Sequence, residues 1–259
     1  ASLIPSTAMS LRFFSLLLIA LTFVASGLSV HNAHATPTPI LVASGFIGPM
    51  GLAADPEGNV YVANGGPFVM IHTNGTVETI LAEEPMGPHN PCRIGVARDP
   101  VGNLYCTGPG GLLKIPVGCR SLDCVQMLAD IGARGVATYG LGNVYFATNT
   151  GWPCAGNRIG VIHPDGTTED LVAEDRCPDL LSTAPDNCLY WGVNGDIAVA
   201  PEIRRFCPGM TNYETVLQLP PYYSWDRSYS AYNVVVDASG AMFWTTDGTG
   251  QVWMLDKSI

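Results

Sequence analysis

Positive charge is scarce in this sequence: 12 Lys and Arg stand against 22 Asp and Glu, a net of −10 at neutral pH. Nucleic acid and anionic membrane surfaces both need a basic footprint, so the balance argues against either as a partner. No Cys-x-x-Cys pair occurs, which argues against a zinc knuckle or a thioredoxin-like redox motif. Gly-x-Ser-x-Gly, His-Glu-x-x-His, a phosphate loop and a dinucleotide fingerprint are absent as well. Beyond the first 30 residues there is no apolar run long enough to span a bilayer as a helix.

What is present begins with a leader. Met9 reads as a translation start, followed by Arg12, an apolar run from Phe13 to about Val24, and Ala33-His-Ala35. A basic start, an apolar centre and a small-x-small site make a secretory signal peptide over residues 1–35, with residues 1–8 an upstream remnant. The rival reading is an uncleaved anchor, because Phe13 to Val30 approaches the spanning minimum of about 17–20 residues. The Ala-x-Ala site and the Thr36-Pro-Thr-Pro39 linker favour cleavage, leaving residues 36–259 as one domain with 11 basic and 22 acidic side chains. All eight cysteines lie in that part, and an even count behind a signal peptide reads as disulfides in a secreted, extracellular protein. Asn74-Gly-Thr76 is a glycosylation sequon.

The chain repeats a phrase. Gly51-Leu-Ala-Ala-Asp-Pro-Glu-Gly-Asn-Val-Tyr-Val-Ala63 returns at Gly95–Thr107 and Gly135–Ala147, with fainter copies at Asp186–Tyr190 and Val234–Trp244. The Gly before each second strand falls at 58, 102, 142 and 240, with Asn187 in its place in the fourth copy, at spacings of 44, 40, 45 and 53 residues. Such a period, with short strands and Gly-rich turns, marks a radial repeat. In the first copy an apolar strand leads into Asp55-Pro-Glu-Gly58, a turn in which Asp bonds the backbone ahead and Gly accepts a positive φ. Asn59–Ala63 returns, Phe68–Ile71 follows, and Asn74-Gly75 turns into Val77–Leu81. Four antiparallel strands in some 40 residues make one propeller blade.

The expected fold is therefore an all-β propeller of five blades, with a sixth, degenerate element around Pro220–Ser230 as the alternative. Blade four is expected at Leu180–Thr183, Cys188–Val193, Asp196–Ala200 and Glu214–Leu219. Blade five shows three strands, and Ile40–Ser44 is expected to supply the fourth, closing the ring and removing exposed edges. The cysteines are expected to pair locally, as Cys92–Cys106, Cys119–Cys124, Cys154–Cys177 and Cys188–Cys207, each inside one blade or at its joint.

The repeat Pro-x-Gly-hydrophobic-Ala-x-Asp-x-x-Gly-Asn-hydrophobic-Tyr-hydrophobic-Ala resembles the NHL repeat, and is similar to repeats of the senescence-marker-protein/gluconolactonase clan and of streptogramin lyases. The resemblance covers nearly all of residues 40–256 and implies a propeller, although those relatives usually have six or seven blades. It also implies a ligand site at the channel mouth, on the face shared by loops between second and third strands and between blades. Those loops hold Asn64, His89, Arg93, Arg134, Asn149, Trp152, Arg158, Arg176, Asn194 and Asp247, together with the aromatic segment Tyr222–Tyr229 around Trp225.

Two functional classes follow. The first is a non-catalytic propeller that recognises a protein or glycan at Asn149, Trp152, Arg158, Asn194, Trp225 and Asp247. Insertions relative to the plain repeat, Gly151–Gly156 and Tyr222–Ser230, collect on that face. Trp225 and its neighbouring tyrosines suit recognition, or equally packing over the joint of blades four and five. The second is a calcium-dependent hydrolase or lactonase, or a lyase resembling the streptogramin enzymes. Its metal would take oxygens of Asn149, Asn194 and Asp247, which otherwise read as strand-ending turn residues. The gluconolactonase group carries a Glu where this chain has Pro49-Met50. His72 and His163 recur before a hairpin turn, which implies a role in the turn rather than in catalysis, and the histidine–zinc set of the amidating lyase does not carry over.

Overall fold

The computed structural model describes residues 43–82, 92–140, 142–149, 154, 156–174, 176–193, 200–220, 231–245 and 252–255. They form an all-β propeller of five antiparallel sheets, with one short 3-10 turn at Leu122–Cys124. Blade one is β1 (Gly51–Ala54), β2 (Val60–Ala63), β3 (Phe68–Ile71) and β4 (Val77–Leu81). Blade two is β5 (Val96–Arg98), β6 (Leu104–Gly108), β7 (Gly111–Ile115) and β8 (Gln126–Ala129). Blade three is β9 (Ala133–Tyr139), β10 (Asn143–Thr148), β11 (Asn157–Ile162) and β12 (Thr168–Glu174). Blade four is β13 (Pro178–Thr183), β14 (Leu189–Val193), β15 (Glu202–Phe206) and β16 (Glu214–Gln218). Blade five is β17 (Asn233–Val236), β18 (Met242–Thr245) and β19 (Val252–Leu255). Each sheet runs in chain order, so every blade is a meander.

The repeated phrase works through its aspartate. Asp99 accepts hydrogen bonds from the Gly102 and Asn103 amides, the Asn103 side chain and the Tyr105 hydroxyl, all at 2.8–3.0 Å. Burial alone would raise its pKa, but those bonds outweigh burial and hold it below the ordinary carboxylate value. Burial, then the Asp99 charge, pushes Tyr105 up to about 12. Asp55 with Asn59 and Asp186 with Tyr190 repeat parts of the device. The turn also needs a left-handed residue, and Gly58, Gly102, Gly142 and Gly240 have φ of +87°, +102°, +93° and +88°. Asn187, at +68°, does the same in the fourth copy, as the side chain that tolerates this region best.

Blades pack through apolar side chains that alternate along each strand. Phe68 and Ile80 meet Leu104 and Ile115 between blades one and two, and Tyr105 meets Val136 and Phe146 between two and three. Ile159 and Val172 meet Trp191 and Val193 between three and four, and Ile203 meets Val234 and Trp244 between four and five. Each fully buried side chain of this size stabilises by about 1.5–3 kcal/mol. All four disulfides form as the local scheme expects. His72 and His163 cap hairpin turns, accepting the Gly75 and Gly166 amides at their carbonyls and pairing with Glu78 and Glu169. Asn74 is exposed in the first of these turns, accepting from the Thr76 amide and hydroxyl.

One strand lies elsewhere than expected. The third strand of blade four is Glu202–Phe206, not Asp196–Ala200; Ala200 belongs to no strand and residues 194–199 lie outside the described set. Its charged appearance misleads, because Glu202 and Arg204 are buried by pairing with each other.

Ahead of blade one, Ala43 and Phe46 pack against its Val62, Val69 and Ile71. Ala43 and Ser44 are in no strand, and Ile40–Val42 lie outside the described residues, so the expected fourth strand of blade five is not among them. β19 leaves Val252, Trp253, Met254 and Leu255 exposed by 69%, 40%, 57% and 37%, an apolar edge of the kind that folded sheets cover.

The inner strands β1, β5, β9, β13 and β17 jointly line a central cavity of about 60 Å³. Glycine permits this closeness. A Cβ on Gly51 would lie 2.5 Å from the Ile94 carbonyl oxygen, one on Gly95 2.5 Å from that of Arg134, and one on Gly135 2.6 Å from that of Asp179. Gly135→Ala should therefore cost about 1–3 kcal/mol as an overpacking substitution, lowering Tm by roughly 2–12 °C in thermal denaturation. Gly132→Ala, whose Cβ would meet nothing within 4 Å, should leave Tm unchanged. Deleting residues 36–44 should lower Tm further than Gly135→Ala does, and an unaltered melting curve would remove the N-terminal segment from ring closure.

Candidate ligand-binding site at the channel mouth

Residues at the start of an inner strand, or just ahead of it, project where the blades converge. Met50 precedes β1, Arg134 lies in β9 ahead of Gly135, Asp179 lies early in β13, and Tyr232 precedes β17. These side chains meet. Asp179 is 1% exposed, and a buried carboxylate requires a charge partner. Arg134 supplies it, with Nε 3.2 Å from Asp179 Oδ1. The same guanidinium donates through Nη2 to the Tyr232 hydroxyl and lies 5.5 Å from that ring's centroid. The Tyr232 hydroxyl in turn faces Met50 Sδ at 3.9 Å.

Blade two joins through Thr107, whose hydroxyl donates to the Arg134 carbonyl at 2.6 Å and accepts the Gly95 amide at 2.8 Å. Every blade thus contributes to one polar knot over the narrow channel. The Leu180 amide donates to the Tyr232 carbonyl and the Tyr232 amide to the Thr245 carbonyl, which holds the Tyr232 backbone from both sides.

Beside the knot lies a cavity of about 450 Å³, lined by Ile47, Gly48, Pro49, Met50, Gly65, Arg93, Tyr232 and Thr245. Its floor is shaped by the Asn64 turn. The Asn64 side chain donates to the Pro67 carbonyl and accepts the Gly66 amide, and Gly65 donates to the Ile47 carbonyl at 2.6 Å. Arg93 stands exposed on the rim. Its backbone is fixed by the neighbouring Cys92–Cys106 bridge and by the hydrogen bond that its amide donates to the Thr107 carbonyl.

Of the expected site residues, Asn149 lies beside this knot. Its amide donates to the Gly132 carbonyl, and Nδ2 donates to the Pro178 carbonyl at 2.9 Å, tying blade three to blade four next to Asp179. Arg158 starts the third strand of its blade, but its guanidinium reaches Asp170 on the outermost strand at 2.7 Å and lies over Phe146. Asn149 and Arg158 are thus engaged in different contacts. Trp152, Asn194, Trp225 and Asp247 lie outside the described residues, as does His89.

Sequence reasoning placed Arg93 and Arg134 on this face but did not foresee their roles, and it missed Met50, Asp179, Tyr232 and Thr245. It also missed a buried charge network between blades three and four. Arg204 is 3% exposed and bonds both Glu174 and Glu202, while Arg176 reaches Glu202 at 3.1 Å. The Trp191 indole donates to Glu174 at 2.8 Å, the Thr215 hydroxyl to Glu202 at 3.0 Å, and the Arg204 guanidinium lies 4.1 Å from the Tyr213 ring centroid. Arginines and glutamates inside strands that are otherwise apolar were the available signal.

No family model matches the sequence, and no curated protein matches it. Solved structures do. A gluconolactonase from Xanthomonas campestris is similar at 16% identity and a TM-score of 0.63, covering 83% of this chain and 74% of that one. The calcium-binding protein regucalcin from Agrobacterium tumefaciens aligns at 17% identity and a TM-score of 0.60, covering 84% and 74%. Virginiamycin B lyase from Staphylococcus aureus aligns at 15% identity and a TM-score of 0.54, covering 81% and 70%.

Removing one partner of a buried pair strands the rest, at about 3–5 kcal/mol. Arg204→Ala should therefore lower Tm by roughly 6–20 °C, whereas Arg120→Ala, which removes a half-exposed pair with Glu78, should change it little. Equal melting points for the two variants would show that the buried network contributes no stability. The likeness extends to the fold: the chain is a β-propeller of the architecture shared by gluconolactonase, regucalcin and streptogramin lyase structures.

Proposed function

We propose that this chain is a secreted recognition propeller that engages a protein or glycan ligand at its channel-mouth face. The observation that carries the reading is the cavity of about 450 Å³ at that mouth, beside a channel too narrow to admit a ligand. Asn149, Trp152, Arg158, Asn194, Trp225 and Asp247 remain the proposed surroundings of the ligand, with Trp225 as an aromatic anchor. Secretion is supported by four disulfides, which persist in oxidising compartments. No helix among the described residues is long and apolar enough to cross a membrane.

The second reading is a calcium-dependent hydrolase or lactonase, or a streptogramin-lyase-like enzyme. It draws support from what the similar propellers are: a gluconolactonase, a calcium-binding regucalcin and a virginiamycin B lyase. Calcium would be held by Asn149, Asn194 and Asp247. The described residues at the mouth do not fit a dication well. Met50 stands there instead of a carboxylate, and the Asp179 charge is already compensated by Arg134. Among the described residues no three His, Cys, Asp or Glu side chains gather as a metal site.

The two readings separate in one experiment. The purified protein is screened against a glycan array and a panel of extracellular proteins, with and without chelator, and assayed for lactone and streptogramin turnover. Recognition predicts a ligand whose capture falls at least tenfold in Trp225→Ala and is indifferent to chelation. Turnover abolished by chelator and restored by calcium would overturn recognition in favour of the enzyme.

A further inference from the structure

The rim arginine has a chemical meaning of its own. Seven described arginines are engaged through their side chains: Arg98, Arg120, Arg134, Arg158, Arg176, Arg204 and Arg205. Arg93 is exposed and, among the described residues, has neither a side-chain hydrogen bond nor an ion pair. In a chain of net charge −10, carboxylates to pair with it are plentiful. Arg93 instead opens onto the mouth cavity, where the wall is Ile47, Pro49 and Met50.

We propose that this cavity receives a carboxylate carried on an apolar body, with Arg93 as its counter-charge; the inference rests on the mouth being the ligand face. The guanidinium presents a planar fork that matches a carboxylate with two parallel hydrogen bonds. Thr245 lines the same cavity, and its hydroxyl oxygen accepts the Asn233 amide at 3.3 Å, so the hydroxyl proton is directed elsewhere. Tyr232 is already engaged at this wall: Arg134 donates to the phenol oxygen, and the phenol faces Met50 Sδ at 3.9 Å.

Two further features narrow the ligand. The acidic surface as a whole repels polyanions at long range, so a single carboxylate is favoured over a phosphate chain or a sulfated polymer. Ile47, Pro49 and Met50 offer no charge to a second polar group, so the body attached to the carboxylate is apolar. A free aliphatic acid and the C-terminus of a protein ending in an apolar residue share this chemistry.

Titration calorimetry with matched probes tests the proposal: hexanoate against hexanamide, and N-acetylleucine against N-acetylleucinamide. Both acids should bind and both amides should bind at least tenfold more weakly. Preference for N-acetylleucine identifies the protein C-terminus as the source, and preference for hexanoate the free acid. Arg93→Ala should weaken acid binding at least tenfold. Arg93→Lys, which keeps the charge but not the fork, should fall between, and Arg120→Ala on the opposite face should bind as the unaltered protein does. Equal binding of acids and amides, or of acids to Arg93→Ala, would overturn the assignment. If neither acid binds while a panel ligand is still lost in Trp225→Ala, the carboxylate assignment falls and the recognition face stands. If neither acid binds and no panel ligand depends on Trp225, both fall.

Discussion

The close approach of neighbouring inner strands is the constraint from which the rest of the molecule follows. Gly51, Gly95 and Gly135 each face a backbone carbonyl of the next blade at a distance where no Cβ fits. Between blades four and five the contact moves outward to Gly192, where a Cβ would clash with the Ala231 carbonyl. A ring of few blades has a small circumference, so its inner strands must nearly touch. Glycine meets that requirement at the position where the repeat begins. The same closeness leaves a cavity of only about 60 Å³ between the inner strands.

With so little space between the inner strands, side chains at or just ahead of their starts are forced together at the mouth. Arg134 and Tyr232 are 98 residues apart in sequence and in direct hydrogen-bond contact. Asp179 could not remain buried without Arg134, and Arg134 could not lean across the mouth without Tyr232 and Asp179 to receive it. The knot neutralises its own charge. Among the described residues that line the cavity, Arg93, one blade away, is the charge that faces solvent and cavity together, so this described part of the rim is positive.

Much of the fold was legible because its determinants are local. The left-handed residue before each second strand must be Gly or a tolerant Asn, and Gly58, Gly102, Gly142, Asn187 and Gly240 announce this one by one. The disulfides were legible because each closes a short loop within one blade or its joint. The third strand of blade four was not, since Glu202 and Arg204 read as solvent-facing until Glu174 and Arg176 of another blade are brought against them. The mouth was half legible. Its face could be assigned from loop position, so Arg93 and Arg134 were placed there, but which residues touch depends on the curvature of the ring.

The chemistry of the cavity wall is set by the residues that lead into the ring. Ahead of its first inner strand this chain places Met50, whose thioether lies beside the Tyr232 hydroxyl. A thioether is a poor ligand for a hard cation but a good apolar wall. With Met50 in the wall and Arg93 on the rim, the described part of the cavity offers an apolar surface beside one positive charge.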